Sequence, residues 1–210
     1  MKIDEKCKIC RRQGVKLFLK GERCFSSKCP MIRKPYPPGQ KGKKRRKPPS
    51  EYGKELTEKQ KLKYWYNLKD RQFQNYVREI LTKRGRVEDA ASQLIQKLER
   101  RLDNTVFRLG FASSRAQARQ LVSHRHFLVN NIVVNISSFL VKKGDKIKIR
   151  PSSTKKAMFQ HLPMTLKKYT PPSWLSVNIE KLEGEVKDLP KAEEVLPPVE
   201  ISAIFELYSR

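Results

Sequence analysis

Apolar side chains at Phe73, Tyr76, Val77, Ile80 and Leu81 follow the i, i+3, i+4, i+7, i+8 spacing of one helical face. Asp70 stands where an N-cap belongs, and Gly85 where a helix stops. Leu94, Ile95, Leu98 and Leu102 repeat the period, so the span from Glu51 to about Arg101 reads as helical. The next stretch, RLDNTVFRLGFASSRAQARQLVSHRHFLVNNIVVN, reads as helix, turn, helix and hairpin. Leu102, Val106 and Leu109 mark the buried face of its first helix, which Gly110 ends. Ser114 and Gln117 form an S-x-x-Q capping box for the second helix, whose Ala118, Leu121 and Val122 point inward. Asn130 and Asn131 make a tight turn between FLV and IVV. After a turn at Gly144-Asp145, KIKIR alternates as a half-buried strand does. Near the end, Ile201, Ile204, Phe205 and Tyr208 fit a helical face, while Val199, Ile201, Ala203, Phe205 and Leu207 fit a strand; the helix is the favoured reading. Tyr64, Trp65 and Tyr66 could stack on bases, but aromatics in a helical segment belong more often to a core.

All four cysteines fall within CKICRRQGVKLFLKGERCFSSKC. Cys7 and Cys10 are spaced C-x2-C, Cys24 and Cys29 C-x4-C, and thirteen residues separate the pairs. Two short thiol pairs on one loop suit one tetrahedral zinc ion, with Zn–S distances of about 2.3 Å. Four thiolates would close the coordination sphere, so the expected zinc is structural. Binding of about 10–16 kcal/mol in zinc-finger peptides could fold a segment too short to bury its own core. An iron–sulfur cluster, a vacant site or unrelated thiols are the alternatives; two disulfides would need an oxidising compartment, and a redox C-x-x-C a preceding strand for which Cys7 lies too near the N-terminus. The PYPPGQKGKKRRKPPS stretch that follows has the prolines and glycines of an extended arm, and no G-x-x-x-x-G-K-[ST] phosphate loop occurs.

Charge narrows the function. The 210 residues carry 47 Lys+Arg against 21 Asp+Glu, a formal net charge of +26. An excess of this size repels itself in the compact state and calls for an anionic partner. No apolar run approaches the roughly 18 residues of a helical membrane span. MKIDEKCKIC has no secretory h-region, so a cytoplasmic setting with reduced thiols is expected. Between Arg23 and Ser50 ten basic residues meet no acidic one, whereas from Pro171 onward eight acidic residues outnumber four basic ones. The first part of the chain is therefore suited to a polyanion, and the last forty residues to packing on protein. KGKKRRK alone could equally be a solvated run.

RLDNTVFRLGFASSRAQARQLV, the strand ending VN, and GDKIKI closely resemble the S-four RNA-binding domain. The four-cysteine segment, the PYPPGQKGKKRRKPP arm, EKQKLKYWYNLKDRQF, PSWLSV and the terminal FELYSR resemble the zinc-bearing form of the bacterial small-subunit ribosomal protein S-four family. The resemblance covers nearly the whole chain. It departs at the hairpin, where the usual glycine is Asn131, and ASQLIQKLE fits the family's helix loosely. Asparagine tolerates positive φ better than most residues, so the turn is expected to survive.

The resemblance implies an α+β fold: a zinc-bound segment and basic arm over residues 1–45, a helical domain over 46–99 completed by a helix within 190–210, and an inserted S-four α/β domain over 100–189. That domain would pack two helices on a small antiparallel sheet. It implies a non-enzymatic constituent of the small ribosomal subunit. The protein would bind early to a multi-helix junction in the 5′ domain of 16S rRNA and nucleate assembly. It would then lie near the channel by which mRNA enters, beside ribosomal protein S-five, and influence translational accuracy. By match to the family's RNA-facing surface, the candidate contacts are Lys41, Lys43, Lys44, Arg45, Arg46 and Lys47 of the arm, with Arg100, Arg101, Arg115, Gln117, Arg119, Gln120, His124 and His126. The candidate metal ligands are Cys7, Cys10, Cys24 and Cys29, for one Zn2+. Asp103 is expected to pair with a nearby arginine or cap a helix. A non-ribosomal RNA chaperone with the same module, and an enzyme using it to hold RNA, are the competing readings. The first lacks a use for the cysteine segment and the second has no room for a catalytic domain.

Overall fold

Ser50 starts the first long helix. Its Oγ accepts the Gly53 N–H at 3.2 Å, satisfying one of the orphan donors of α3 (Glu51–Trp65). The computed structural model describes residues 3–40, 42, 48–82, 87–191, 194, 195 and 197–209. The chain divides into two units, residues 1–94 with 196–210 and residues 95–195.

In the first unit, α1 (Ile3–Gln13) carries Cys7 and Cys10. The chain returns so that Leu17 packs on Ile9 and Cys10. A 3-10 turn (Gly21–Cys24) and the short α2 (Pro30–Arg33) follow. Tyr64 and Trp65 of α3 pack against the same apolar cluster, and Tyr66 is buried. The amino-terminal segment thus supplies an apolar cluster of its own, Ile9, Cys10 and Leu17, and α3 covers it with Tyr64 and Trp65. Helix α4 (Asp70–Thr82) buries Phe73, Val77 and Ile80, while Leu81 is exposed. Asp70 is its first residue rather than its cap, and its carboxylate accepts hydrogen bonds from Lys63 Nζ at 2.9 Å. Gly85 lies outside the described residues. The terminal segment forms α11 (Ile201–Ser209), a helix and not a strand, and packs on α3 and α4. It buries Ile204 and Phe205 and brings the Tyr208 ring 6.4 Å from that of Phe73.

Helix α5 (Val87–Glu99) crosses the division between the units. Beyond it the second unit combines α6 (Leu102–Arg108) and α7 (Arg115–Ser123) with β1 (Phe127–Val129), β2 (Ile132–Val133) and β3 (Lys146–Ile149). Three short helices, α8 (Pro151–Thr154), α9 (Ala157–Gln160) and α10 (Leu162–Lys167), precede β4 (Leu175–Asn178) and β5 (Glu183–Val186). The strands form an antiparallel sheet in the order β2-β1-β3-β5-β4. Its core joins Leu102, Val106, Leu109, Ala118, Leu121 and Val122 to Phe127, Ile147, Phe159 and Trp174. Each fully buried Leu, Ile or Phe contributes about 1.5–3 kcal/mol.

The hairpin explains why Asn131 suffices. Asn130 and Asn131 have φ of 50° and 69°, the left-handed pair a two-residue turn needs. Asn130 then ties the turn to β3: its Nδ2 donates to Asp145 Oδ1 at 2.8 Å, and its Oδ1 accepts the Lys146 N–H at 3.0 Å. Capping of α7 is half as expected. Ser114 Oγ accepts the Gln117 N–H at 3.3 Å, but Gln117 Oε1 turns one residue further back, accepting from Ser113 N–H and Oγ at 2.8 and 2.7 Å.

Gly184 of β5 opposes Ile147 and faces the side chain of Leu109, the residue that closes α6. A Cβ there would stand 2.5 Å from both Leu109 methyl carbons, so glycine sets the close approach of helix and sheet. Gly184→Ala is expected to cost about 1–3 kcal/mol, the usual range for overpacking, read as a lowered urea midpoint at unchanged m. An unchanged midpoint would show that α6 can lift off the sheet freely.

Candidate nucleic-acid interface and cysteine cluster

Glu99, at the end of α5, has no exposed surface. A carboxylate there must be paired and hydrogen-bonded. Arg108 meets it with two contacts, Nε to Oε2 at 2.8 Å and Nη2 to Oε1 at 3.0 Å. Asn104 Nδ2 donates to Oε2 at 2.8 Å, and the other end of that amide, Oδ1, accepts from Arg115 Nε at 2.7 Å. Arg115 Nη2 lies 4.0 Å from Glu99, and its guanidinium covers the Phe107 ring at 4.7 Å. Beside this network, Arg101 and Asp103 form a second buried pair through two N–H···O contacts of 3.1 and 2.9 Å. Burial pushes the Asp103 carboxyl up, and the Arg101 charge opposes the shift. Asp103 also accepts the Asn104 N–H at 2.9 Å inside the first turn of α6, so it both pairs with an arginine and serves the helix start.

The structure places the expected RNA contacts in different settings. Arg101 is fully buried against Asp103. The Arg115 side chain is 9% exposed and directed into the Glu99 network. Gln117 is spent on capping. His126 is buried, with Nδ1 2.9 Å from Ser153 Oγ and its ring edge-on to Phe159. Arg100 is half-buried and donates from Nε to the Val141 carbonyl at 3.0 Å. Arg119 is half-buried, and Gln120 and His124 are exposed. Lys41, Lys43, Lys44, Arg45, Arg46 and Lys47 lie outside the described residues. For Arg101 and Arg115 the reason is that a cation spaced for one helix face reads as solvent-facing unless a buried anion claims it.

The structure supplies other surface cations. Arg125 is exposed after α7, with φ of 60°. Arg150, Lys155 and Lys156 are exposed around α8. Lys156, His124 and Arg150 are near enough to disfavour charge on His126, so they gather around one spot. IRPSSTKK is a basic run that could have signalled part of this cluster; its pairing with SHRH, some thirty residues earlier, depends on the sheet.

The four cysteines are free thiols and line a single cavity, together with Lys6, Lys16, Lys20 and Arg23. Among the described residues, no group of three or more His, Cys, Asp or Glu side chains is arranged to hold a metal ion. The sequence expectation of a formed ligand set is thus met only as far as proximity. Burial pushes the Cys10 and Cys24 thiols up; a backbone hydrogen bond from Leu17 opposes the shift at Cys10, and the Lys20 N–H, 3.3 Å from Cys24 Sγ, opposes it at Cys24. Four soft sulfur donors facing one cavity, two of them met by backbone N–H groups that favour thiolate, are a donor set chemically suited to zinc.

Burial, followed by the charges of Lys156, His124 and Arg150, holds His126 below the usual imidazole range. The folded state thus binds its proton less readily than the unfolded chain, whose histidine titrates near 6.5. Above that pH both states are neutral at this ring and it adds no pH dependence. As pH falls below about 6.5 the unfolded state takes up the proton first, and stability drops. Urea unfolding between pH 7.5 and 5 is expected to show that loss in the native sequence and a shallower slope in His126→Gln. Identical slopes would place the pH sensitivity elsewhere.

Comparison with known proteins bears on both features. The family model described as the ribosomal protein S4/S9 N-terminal domain matches residues 2–109, and the S4 domain matches residues 100–147. The chain is 50% identical over 207 residues to small ribosomal subunit protein uS4 of Syntrophomonas wolfei, covering 99% of this chain and 98% of that one. It is 48% identical over 204 residues to uS4A of Symbiobacterium thermophilum, and 48% identical over 204 residues to uS4 of Halothermothrix orenii, in both cases covering 97% of this chain and 96% of the relative. The match runs through the cysteine segment, the helices and the sheet alike, and on it the chain belongs to the small ribosomal subunit protein uS4 family, a family of ribosomal proteins and not of enzymes.

Proposed function

We propose that this protein is a structural constituent of the small ribosomal subunit that binds 16S rRNA early in assembly, at a multi-helix junction of the 5′ domain. The observation that carries the reading is the set of exposed basic side chains Arg125, Arg150, Lys155 and Lys156, of which Arg150 and Lys156 gather with His124 around His126, on a unit that pairs its buried carboxylates inside. A junction brings several phosphate backbones together, and such a cluster offers fixed positive charge to them. Recognition is of shape and phosphate position, because the A-form major groove is too narrow for side chains to read bases. Arg119, Gln120 and the arm from Lys41 to Lys47 join this surface in the proposal. Arg115 and Arg101 act through it indirectly, by fixing α6 and α7. A place beside ribosomal protein S-five, near the channel by which mRNA enters, rests on the family resemblance, with α11 and its exposed Glu206 as the candidate contact.

Binding of the full chain to a 5′-domain transcript tests the RNA reading. Arg125→Glu with Lys156→Glu is expected to weaken binding and to reduce the log K against log salt slope by about one for each phosphate no longer neutralised. Both positions are exposed, so the fold is spared. Unchanged affinity and slope would move the RNA face elsewhere.

The proposed metal is one zinc ion held by Cys7, Cys10, Cys24 and Cys29. When bound it supplies no chemistry beyond cross-linking, because four thiolates leave no open position. The chain's own contribution is to bring the sulfurs to one cavity, to aim backbone N–H groups at two of them, and to surround them with Lys6, Lys16, Lys20 and Arg23. Elemental analysis of the purified chain is expected to give one zinc per polypeptide. A metal-free chain with α1 intact by hydrogen exchange would overturn the assignment.

A further inference from the structure

Phe18 and Phe25 stack on one another in the open. Their ring centroids are 4.9 Å apart with an interplanar angle of 27°. Phe25 is 75% exposed and Phe18 38%. Phe18 also adopts φ of 51°, a left-handed conformation that bulky side chains avoid and that persists where surrounding structure imposes it. The neighbouring Leu17 is almost fully buried in the apolar cluster on α1, while the next side chain is turned outward. An exposed aromatic pair held by strained backbone does not serve the core. From Lys6 to Lys34 there are ten basic residues, and Glu22 is the one acidic residue. Lys16, Lys20 and Arg23 line the same cavity rim as Phe18, and Arg23 and Lys28 flank Phe25 in the exposed turn.

We propose that the Phe18–Phe25 pair is a stacking platform for an unpaired RNA base, with Arg23, Lys28 and Lys20 taking the adjoining phosphates. Charge decides the occupant. An apolar peptide would gain nothing from the surrounding cations, whereas a nucleotide offers a flat π-face to the rings and an anion to the neighbouring lysines and arginine. Base stacking on an aromatic ring is tolerant of base identity, and backbone contacts supply the remaining grip. A bulged or looped nucleotide fits; a base inside a helix does not, since its faces are already covered. The inference rests on the RNA reading above and adds a site on the amino-terminal unit, separate from the cationic cluster of the second unit.

The test uses the full chain and the 5′-domain transcript, with Phe25→Tyr, Phe25→Leu and the native sequence. Phe25 is exposed, so none of these changes removes core packing; Phe18 is left alone because its backbone is strained. Tyrosine is expected to keep native affinity. Leucine, apolar but without a π-face, is expected to weaken binding about 5- to 150-fold, the range for loss of one stacked base. Ultraviolet crosslinking should attach a single unpaired nucleotide to the peptide containing Phe25 in the native chain and not in the leucine variant. Equal binding by the leucine variant, or a crosslink to a paired nucleotide, overturns the platform while leaving the RNA reading intact. A leucine variant that binds RNA normally yet loses association with other small-subunit proteins overturns it as well and makes the pair a protein contact. Failure of the native chain to bind the transcript defeats the RNA reading itself and the platform with it.

Discussion

The burial of the Glu99 carboxylate constrains much of the second unit. Leaving such a charge unpaired in the interior is prohibitive, and the chain meets the demand with Arg108, Asn104 and the nearby Arg115. These partners sit on the start of α6, the end of α6 and the first turn of α7. One anion therefore fixes the register of two helices against the end of a third. Removing one member of a buried, hydrogen-bonded pair costs about 3–5 kcal/mol, which exceeds what a single buried leucine contributes. The adjacent Arg101–Asp103 pair repeats the device at the start of α6.

This constraint redistributes the positive charge. Cations drawn inside neutralise buried carboxylates. The surface excess is carried instead by residues outside those pairs, such as Arg125, Arg150, Lys155 and Lys156, and by the amino-terminal run from Lys6 to Lys34. The two groups differ in character. In the first, Arg150 and Lys156 lie near a buried histidine beside the sheet. The second surrounds four thiols and an exposed pair of stacked rings. A protein with a net charge of +26 thus presents more than one kind of cationic surface, and the physical difference between them is what lies beneath.

Several elements are legible in the sequence because they depend on neighbours along the chain. The inward faces of α6 and α7 follow from a 3.6-residue period, and Leu102, Val106, Leu109, Ala118, Leu121 and Val122 are all buried. The Asn130-Asn131 turn, the alternation in β3 and the helix at Ile201–Ser209 are equally local. Asp70 departs from its expected capping role because Lys63, near the end of α3, claims its carboxylate across a loop. The settings of Arg115 and His126 are not legible for a related reason: their partners Glu99, Asn104 and Ser153 come together with them only once helices and strands pack, whereas Arg101 pairs with Asp103 close by in the chain, as the sequence suggests.

Sequence by itself determined the excess positive charge, the spacing of the four cysteines, the amphipathic helices and the family to which their order points. Those properties are sums or periodicities along the chain, and no folding is needed to evaluate them. Tertiary structure alone decided which cations remain outside, which lysines and arginine share the cavity onto which the four cysteines open, and that Phe18 and Phe25 stack in the solvent while Leu17 beside them is buried. Each of these depends on how side chains are arranged in space and on which surface water can reach, and both are set by packing.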